Sequence, residues 1–436
     1  MLIRRIAEPS PNETLRDGDS LRGRRIAFYS HDSFGLGHLR RSLLLSEALC
    51  AADPSARVML VTGSPRATFF DHSDAIEIVR LPAVTKDSDG HYVSRDSGRP
   101  LHRTVQQRKD ILRSSLIGFA PDVLVVDHAP LGLCGELLPL LPDLKELSTK
   151  LVLGLRDILD DPEHVRANWS RHDIRHAIDA LYDAIFVYGS QEVFDLGELY
   201  ELPATMRGRI EYLGYLGRRN AVSLPSPSVA SSSAHSAASL DPGEPLPQIL
   251  CLVGGGGDGT PVAQAFVRAI PRLTFSAEAT LVTGPFLPAA DRRELQKVAA
   301  EHSRVHVLGF TAHLDHLIAA SDVVVTMGGY NSLMEILSLG RRALVVPRVF
   351  PRREQWIRAQ AFEKCGLVQT IDPSELEPAT LARKIETLLA ADPPAQSRNG
   401  SIAFDGVPRF VEALSSVIGA SGSKERPRAR HYSRES

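Results

Sequence analysis

The sequence predicts an α/β protein built from two doubly wound parallel sheets. Three observations support this prediction: short apolar runs recur along the chain, most spacers between them are long enough for a crossover helix, and one polar segment interrupts the alternation. A chain of 436 residues with 43% hydrophobic residues can also bury two separate cores. We therefore expect two domains, with a ligand site in the cleft between them.

The first domain is predicted over residues 23–219, after an N-terminal extension at 1–22. Six β-rich apolar runs lie in this part of the chain, and the segments between most of them could form helices. The runs cover residues 24–30, 57–63, 76–82, 121–127, 150–157 and 184–190. This alternation is typical of parallel βαβ units.

The second domain is predicted over residues 248–420, and its last helix is a candidate to pack back on the first domain. Its five apolar runs cover residues 248–256, 279–285, 304–310, 322–329 and 342–347. Residues 220–247 are rich in Ser, Ala and Pro and offer too little apolar area to fold, so they are predicted to be a linker. Residues 421–436 are predicted to be a disordered basic tail.

Composition excludes several classes of partner. A formal net charge of -2 gives no field that favours nucleic acid. The four cysteines show no zinc spacing and are predicted to be reduced and buried, as in a cytoplasmic protein. No signal peptide or membrane-spanning run is predicted. The leucine-rich segment 131–144 leaves two alternatives open: a peripheral membrane contact or a buried helix.

A glycine-rich loop follows the first strand of the second domain. Gly254, Gly256 and Gly259 match the G-x-G-x-x-G spacing of dinucleotide sites, but the next strand ends "LVTGPF" without the required acidic residue. The loop also lacks the Gly-Lys-Ser/Thr ending of ATPases. Two interpretations stay open: a turn around Gly255 to Gly257 that approaches a phosphate, or a turn needed only for helix packing.

The segment "TMGGYNSLMEILSLG" predicts a strand end, a turn at Gly328 and Gly329, and a helix from about Tyr330 to Gly340. Free N–H groups at this helix start, with Asn331 and Ser332, suit a phosphate. Glu335 lies one turn deeper and suits a ribose diol. The alternative is a polar helix cap followed by a surface glutamate.

At this segment the sequence resembles nucleotide-sugar glycosyltransferases of the GT-B fold. Residues 329–335, "GYNSLME", are similar to the G-W-N-S-x-x-E core of UDP-glucosyltransferases, and "RREQWIRAQAFEKCGL" is similar to their D/E-Q segment and to that of family 28. The resemblance implies two Rossmann-like domains that face each other across a cleft.

The resemblance also implies roles for residues on the donor side. Asn331 and Ser332 would bind the diphosphate, Glu335 the ribose, and Glu354 with Gln355 the donor sugar. The sequence departs from the glucosyltransferases at Met327, which stands where they have a histidine. That change would place the diphosphate contact on backbone N–H groups at Gly328 and at Gly255 to Gly257.

In the first domain, the turn "GLGH" at residues 35–38 resembles the G-x-G-H turn of the same enzymes. The resemblance implies that Gly35 and Gly37 shape the turn on the acceptor side and that His38 is the general base. Asp127 stands at the position of the aspartate that orients the base. His31 is an alternative base, and His128 an alternative partner.

Arg156 and Asp157, at the end of a strand, are further candidates on the acceptor side, with an ordinary ion pair as the alternative.

By resemblance the chain is expected to be an inverting, metal-independent glycosyltransferase without a cofactor. Its donor would be a nucleoside-diphosphate sugar, with UDP favoured, and its acceptor a small molecule, a glycan or a lipid-linked compound. The alternatives are a nucleotide-sugar 2-epimerase or hydrolase of the same fold, and a non-catalytic nucleotide-sugar-binding module. The expected location is the cytoplasm, with peripheral contact to the inner membrane face left open.

Overall fold

The computed structural model describes residues 21–31, 36–65, 67, 72–87, 91–96, 98–171, 173–217, 245–255, 257–311, 313–391 and 402–419. Two of the predicted site residues, Gly35 and Gly256, lie outside these ranges. Most of the predicted N-terminal extension and linker, and the whole predicted basic tail, also lie outside them.

The first sheet has seven parallel strands in the order β3-β2-β1-β6-β7-β8-β9. A separate antiparallel pair, β4 and β5, lies between the third and fourth of these strands in sequence. The bounds are β1 Arg25–Ser30, β2 Arg57–Thr62, β3 Ile76–Arg80, β4 Val84–Lys86, β5 Tyr92–Ser94, β6 Val123–Asp127, β7 Lys150–Arg156, β8 Ala184–Tyr188 and β9 Ile210–Tyr212.

The second sheet has six parallel strands in the order β12-β11-β10-β13-β14-β15. The bounds are β10 Gln248–Leu252, β11 Glu278–Val282, β12 Val305–Leu308, β13 Val323–Thr326, β14 Arg342–Val345 and β15 Val368–Thr370. Its central strand β13 is buried along its whole length and β10 except at Gln248, because helices cover both faces of a doubly wound parallel sheet.

Helices connect the strands in both domains. In the first they are α1 Gly37–Ala52, α2 Leu101–Phe119, α3 Leu141–Glu146, α4 Pro162–Arg171, α5 Ile174–Leu181, α6 Leu196–Leu199 and α7 Ala204–Arg207. In the second they are α8 Thr260–Ala269, α9 Ala289–Ala300, α10 Leu314–Ala320, α11 Tyr330–Ser338, α12 Glu354–Lys364, α13 Pro378–Ala390 and α14 Gly406–Gly419.

The predicted fold class is confirmed, and each of the eleven predicted apolar runs contains a strand. The prediction missed β4, β5, β9 and β15, each only three residues long. Strands of that length carry too few residues for a periodic pattern.

Strand order reverses next to β1 in the first sheet and next to β10 in the second. In parallel sheets a ligand crevice opens outside the carboxyl ends of the strands at such a reversal. The chain therefore places the residues at the ends of β1, β6, β10 and β13 at the two crevices, and most of the predicted site residues lie there.

One hydrophobic cluster contains residues of both domains and of the last helix. Phe410 of α14 packs against Phe28, Phe186 and Tyr188 of the first sheet, with ring centroids 6.0 to 6.3 Å apart. Helix α14 thus lies on the first domain, although it follows the second in sequence.

One expectation about apolar residues needs correction, and for segment 131–144 the structure favours the alternative of burial. Cys50 and Cys251 are buried as predicted, but Cys134 and Cys365 are exposed. In segment 131–144, five leucines belong to the core of the first domain and only Leu138 is strongly exposed, because the chain folds there as short helical turns against the sheet. Within the described ranges, no helix is long and apolar enough to cross a membrane.

A buried ion pair joins the two domains. Arg358 of α12 donates to Asp157, with Nη2 2.7 Å from Oδ1 and Nε 2.9 Å from Oδ2. Neither side chain is more than 1% exposed. The Nη1 atom of Arg358 also donates to the carbonyl of Gly328 at 3.2 Å. The guanidinium therefore connects the end of β7 with the turn before α11.

We expect Asp157→Asn to lower the free energy of unfolding by about 3–5 kcal/mol, since it leaves a buried guanidinium without its counter-charge. The matched control is Glu201→Gln, which breaks the exposed pair with Arg166 and should cost less than about 1 kcal/mol. Thermal and chemical denaturation of the two variants measure the difference. Equal losses of unfolding free energy in Asp157→Asn and Glu201→Gln would contradict the conclusion that the buried pair contributes more than the exposed one.

Candidate functional site

A cleft of about 300 Å³ lies between the domains. The first domain contributes the start of α1 and Arg156 at the end of β7. The second contributes the loops after β10, β11 and β12, the start of α11, and residues 348–355. The cleft is thus built from strand ends and helix starts, as the strand order predicts.

His38, Asp127 and Arg41 form a network on the first-domain side. The Nδ1 atom of His38 lies 2.5 Å from Oδ2 of Asp127. Arg41, one turn further along α1, donates to both oxygens of Asp127 at 2.7 to 2.9 Å. Because an ionised carboxylate accepts hydrogen bonds, Nδ1 of His38 is the donor, and Nε2 carries the lone pair. This leaves Nε2 as the nitrogen that can take a proton from a substrate.

Three imidazoles cluster at this point. The ring centroid of His38 is 4.6 Å from that of His31 and 5.2 Å from that of His128. Burial, then the positive charges around it, holds the pKa of His38 and of His128 well below the usual value. Burial lowers the pKa of His31 to about 4. All three are therefore neutral at pH 7. The two sequence alternatives, His31 and His128, lie beside His38, but only His38 contacts Asp127.

Helix α11 begins on the opposite side of the cleft, as predicted. No side chain caps it at Gly329, and the first intrahelical bond runs from the Leu333 amide to the Gly329 carbonyl at 3.0 Å. The preceding N–H groups have no acceptor within the helix. Asn331 and Ser332 line the cleft at this helix start. The arrangement can bind an anion through N–H groups, a hydroxyl and the helix dipole.

Two side chains of α11 contact the first domain. Asn331 donates from Nδ2 to the carbonyl of Gly37 at 2.8 Å. Glu335 accepts from Nη2 of Arg40 at 2.6 Å, while its Oε2 atom is buried without a partner. Glu335 does not line the main cleft but a small cavity beside it. The alternative of a surface glutamate is therefore wrong, since Glu335 is 8% exposed.

Glu354 and Gln355 lie at the start of α12 and line the cleft. Arg348 donates to Oε1 of Glu354 at 2.6 Å, and the amide of Arg348 donates to Oε1 of Gln355 at 3.0 Å. The pKa of Glu354 is lowered, because nearby arginines outweigh the effect of burial. Oε2 of Glu354 is buried without a partner and remains an acceptor for a ligand hydroxyl.

The predicted glycines divide into two groups. Gly37, Gly255 and Gly329 line the cleft. Gly257 and Gly328 do not. Gly328 has φ +75°, and a Cβ there would lie 2.8 Å from a methyl of Val345, so this position requires glycine for the turn itself.

The two acceptor-side candidates at the end of β7 have different surroundings in the structure. Arg156 lines the cleft. Asp157 does not, because its carboxylate is engaged by Arg358 in the buried pair between the domains. For Asp157 the structure thus shows the ion pair that the sequence left open as the alternative.

The sequence analysis missed four arginines and one tyrosine of this region. Arg41 follows His38 by three residues, so helical spacing could have indicated it. Arg40 and Arg358 gave no signal, since their partners are distant in sequence, and Arg348 lies in a loop where no periodic pattern indicates its contact with Glu354 six residues on. The ring centroid of Tyr330 lies 5.8 Å from the guanidinium carbon of Arg41 and 5.6 Å from that of Arg358. The hydroxyl of Tyr330 donates to the Tyr188 carbonyl at 2.9 Å.

No group of three His, Cys, Asp or Glu side chains in the described part of the chain is arranged to hold a metal ion.

Residues 250–409 match the family model described as the glycosyltransferase family 28 C-terminal domain. Among curated proteins, the chain is similar to the UDP-N-acetylglucosamine--N-acetylmuramyl-(pentapeptide) pyrophosphoryl-undecaprenol N-acetylglucosamine transferase of Rubrobacter xylanophilus. The two are 26% identical over 179 residues, which is 40% of this chain and 50% of the relative. The chain therefore spans about half the length of the curated relatives it matches.

Solved structures match over almost the whole chain. The calicheamicin glycosyltransferase CalG4 superposes with a TM-score of 0.59 at 16% identity, covering 92% of this chain and 99% of that one. A putative UDP-N-acetylglucosamine 2-epimerase from Listeria monocytogenes gives a TM-score of 0.58 at 14% identity, with 92% and 98% covered. At these identities the matches establish the fold.

We expect acidification to destabilise the protein, because the three imidazoles stay neutral in the folded state and gain protons when the chain unfolds. A lowered folded-state pKa means that stability is lost as pH falls below the unfolded value of about 6.5. At pH 5, His31 alone should account for about 2 kcal/mol of this loss. Thermal unfolding at pH 7 and pH 5 should show a smaller loss in His31→Gln than in the parent.

The control for this measurement is His176→Gln, which changes an exposed imidazole on α5. It should keep the pH dependence of the parent. A parental pH dependence in His31→Gln as well would show that His31 is not held neutral.

Proposed function

Because the chain has the GT-B fold and its second domain is of the glycosyltransferase family 28 type, we propose that it is an inverting glycosyltransferase. It would transfer a sugar from a nucleoside-diphosphate donor to an acceptor hydroxyl. The observation that supports this most directly is the opposition, across one cleft, of the His38–Asp127 pair and the uncapped start of α11. One side can remove a proton, and the other can hold an anion.

The chemistry needs a base and a stabilised leaving group on opposite sides of the anomeric carbon. His38 would take the proton of the acceptor hydroxyl at Nε2 as the oxygen attacks, while Asp127 keeps the other nitrogen protonated and stabilises the imidazolium. The departing nucleoside diphosphate would gain negative charge at the start of α11, where N–H groups and the helix dipole stabilise it. In this proposal no metal ion is required for the leaving group.

The donor would lie mainly on the second domain. Ser332, with the backbone around Gly329 and Gly255, would bind the diphosphate, and Glu354 with Gln355 the sugar hydroxyls. Asn331 can contribute the second N–H of its Nδ2 group, since the first is donated to the Gly37 carbonyl. Glu335 would bind the ribose diol through Oε2, which has no partner, or through both oxygens once Arg40 moves.

The curated relative supports a finer proposal. Its name specifies UDP-N-acetylglucosamine as donor and an undecaprenol-linked acceptor. We therefore favour a UDP-sugar as donor here, with a small molecule, a glycan or a lipid-linked compound as acceptor and the cytoplasm, including the inner membrane face, as the location. Binding measurements with UDP, GDP, ADP and TDP, alone and with their sugars, test the nucleotide. The alternative 2-epimerase or hydrolase predicts donor turnover without any acceptor, and a binding module predicts affinity without turnover.

We expect His38→Ala to lower the transfer rate at least about 100-fold, since it removes the proposed base, and to leave nucleotide affinity within about twofold. Steady-state transfer assays and calorimetry measure the two quantities. His31→Ala tests the alternative base, and His102→Ala, on an exposed position of α2, is the control. A normal transfer rate in His38→Ala would overturn the assignment.

We expect Glu335→Gln to weaken nucleotide binding about tenfold, because a carboxylate binds a diol more strongly than an amide does. The variant keeps the side-chain size, and Glu301→Gln at an exposed position of the same domain is the control. Arg40→Gln separates the two roles of the glutamate, since it frees the carboxylate without removing it. Unchanged affinity in Glu335→Gln would exclude the ribose contact.

A further inference from the structure

Four arginines line the cleft, and three of them have carboxylate partners. Arg40 pairs with Glu335, Arg41 with Asp127, and Arg348 with Glu354 and Asp258. Arg156 is the exception: among the described residues, no side chain or carbonyl accepts a hydrogen bond or ion pair from it. Of these four arginines, Arg156 is thus the one without a hydrogen-bonded carboxylate, although the charge of Glu354 acts on it.

The lack of a partner is costly because Arg156 is partly buried. Its Nε atom is inaccessible to solvent and has no acceptor. Burial, followed by the charges of Arg41 and Arg358, lowers the pKa of Arg156 to about 10, so the group is still charged at pH 7. Burial of a guanidinium whose Nε lacks an acceptor destabilises the folded state, and a bound anion would reduce that penalty.

The surroundings of Arg156 also favour an anion. Its charge lowers the pKa of each of the three imidazoles, and for His128 it is the strongest effect after burial. The Nδ1 atoms of His31 and His128 are buried without hydrogen-bond partners. Neutral imidazoles can donate hydrogen bonds, and a guanidinium binds a phosphate through two parallel N–H groups.

We propose that Arg156 binds a phosphate group of a substrate at a subsite on the first-domain side of the cleft. This inference rests on the proposed function and extends it, because Arg156 comes from the domain opposite the expected diphosphate site. Two sources of the phosphate are compatible with this position. One is the donor diphosphate, which lacks a histidine contact because Met327 stands there; the other is a phosphate carried by the acceptor.

The proposed subsite would make the base strength of His38 depend on the bound substrate. Without a ligand, burial and then the charges of His31, Arg41 and Arg156 disfavour a proton on His38 and hold its pKa low. A phosphate bound to Arg156 would place negative charge beside the imidazoles and offset that effect. His38 would then become a stronger base only when the phosphate-bearing substrate is in place.

The test compares the parent with Arg156→Gln and Arg156→Lys by calorimetry. The probes are UDP alone, inorganic pyrophosphate alone, and pyrophosphate added to protein saturated with UDP. Arg166→Gln removes the same charge from a half-buried position of the same domain outside the cleft and is the matched control. Thermal unfolding of each variant checks the fold: loss of an unpaired buried charge should leave the midpoint of Arg156→Gln unchanged or higher.

If the donor supplies the phosphate, Arg156→Gln weakens UDP binding at least about tenfold and Arg156→Lys weakens it less, as expected for a charge-assisted contact. If the acceptor supplies it, UDP binding is unchanged, and pyrophosphate binding to the UDP-saturated protein is lost in Arg156→Gln. If Arg156→Gln binds every probe as tightly as the parent does, the proposed subsite is wrong, whether or not its unfolding midpoint is lowered. Failure of the parent to bind any nucleotide while it binds pyrophosphate through Arg156 would contradict the proposed function but support the subsite.

Discussion

The buried ion pair between Asp157 and Arg358 is the contact on which the geometry of the cleft depends. It joins the end of β7 to α12, and Arg358 also holds the carbonyl of Gly328 before α11. Desolvating two charges is costly, so such a pair contributes more to fixing relative position than to net stability. It holds together two domains whose facing sides, the start of α1 and the start of α11, line a cleft of about 300 Å³.

Electrostatics in the cleft follow from this arrangement. Arginines from both domains converge on a small volume, and carboxylates from both domains neutralise most of them. Burial, reinforced by the positive charges, lowers the pKa of the imidazoles and keeps them neutral, while Arg156 has no hydrogen-bonded carboxylate. A site of this kind is poised for a polyanionic substrate, because the substrate supplies the charge that the protein lacks. A nucleoside diphosphate sugar meets that requirement.

The sequence-based predictions were accurate for features set by residues close together in the chain and less accurate for features set by tertiary packing. The eleven longer strands and the start of α11 were predictable, because apolar runs and glycine turns are local signals. The pairing of His38 with Asp127 was expected only by resemblance, and the strand order explains it, since β1 and β6 are neighbours at the reversal. The short edge strands were not, and neither was the exposure of Cys134 and Cys365, which depends on local packing.

The sequence by itself determined the α/β class, the two sheets and the residue types present at the ends of the central strands. The tertiary structure alone decided which charges meet: Arg40 with Glu335, 295 residues apart, and Asp157 with Arg358, 201 apart. The reason is physical. Strand and helix periodicity are properties of neighbouring residues, whereas an ion pair between domains requires the orientation of one sheet relative to the other. That orientation assigned Asp157 to the domain interface and left Arg156 facing the cleft.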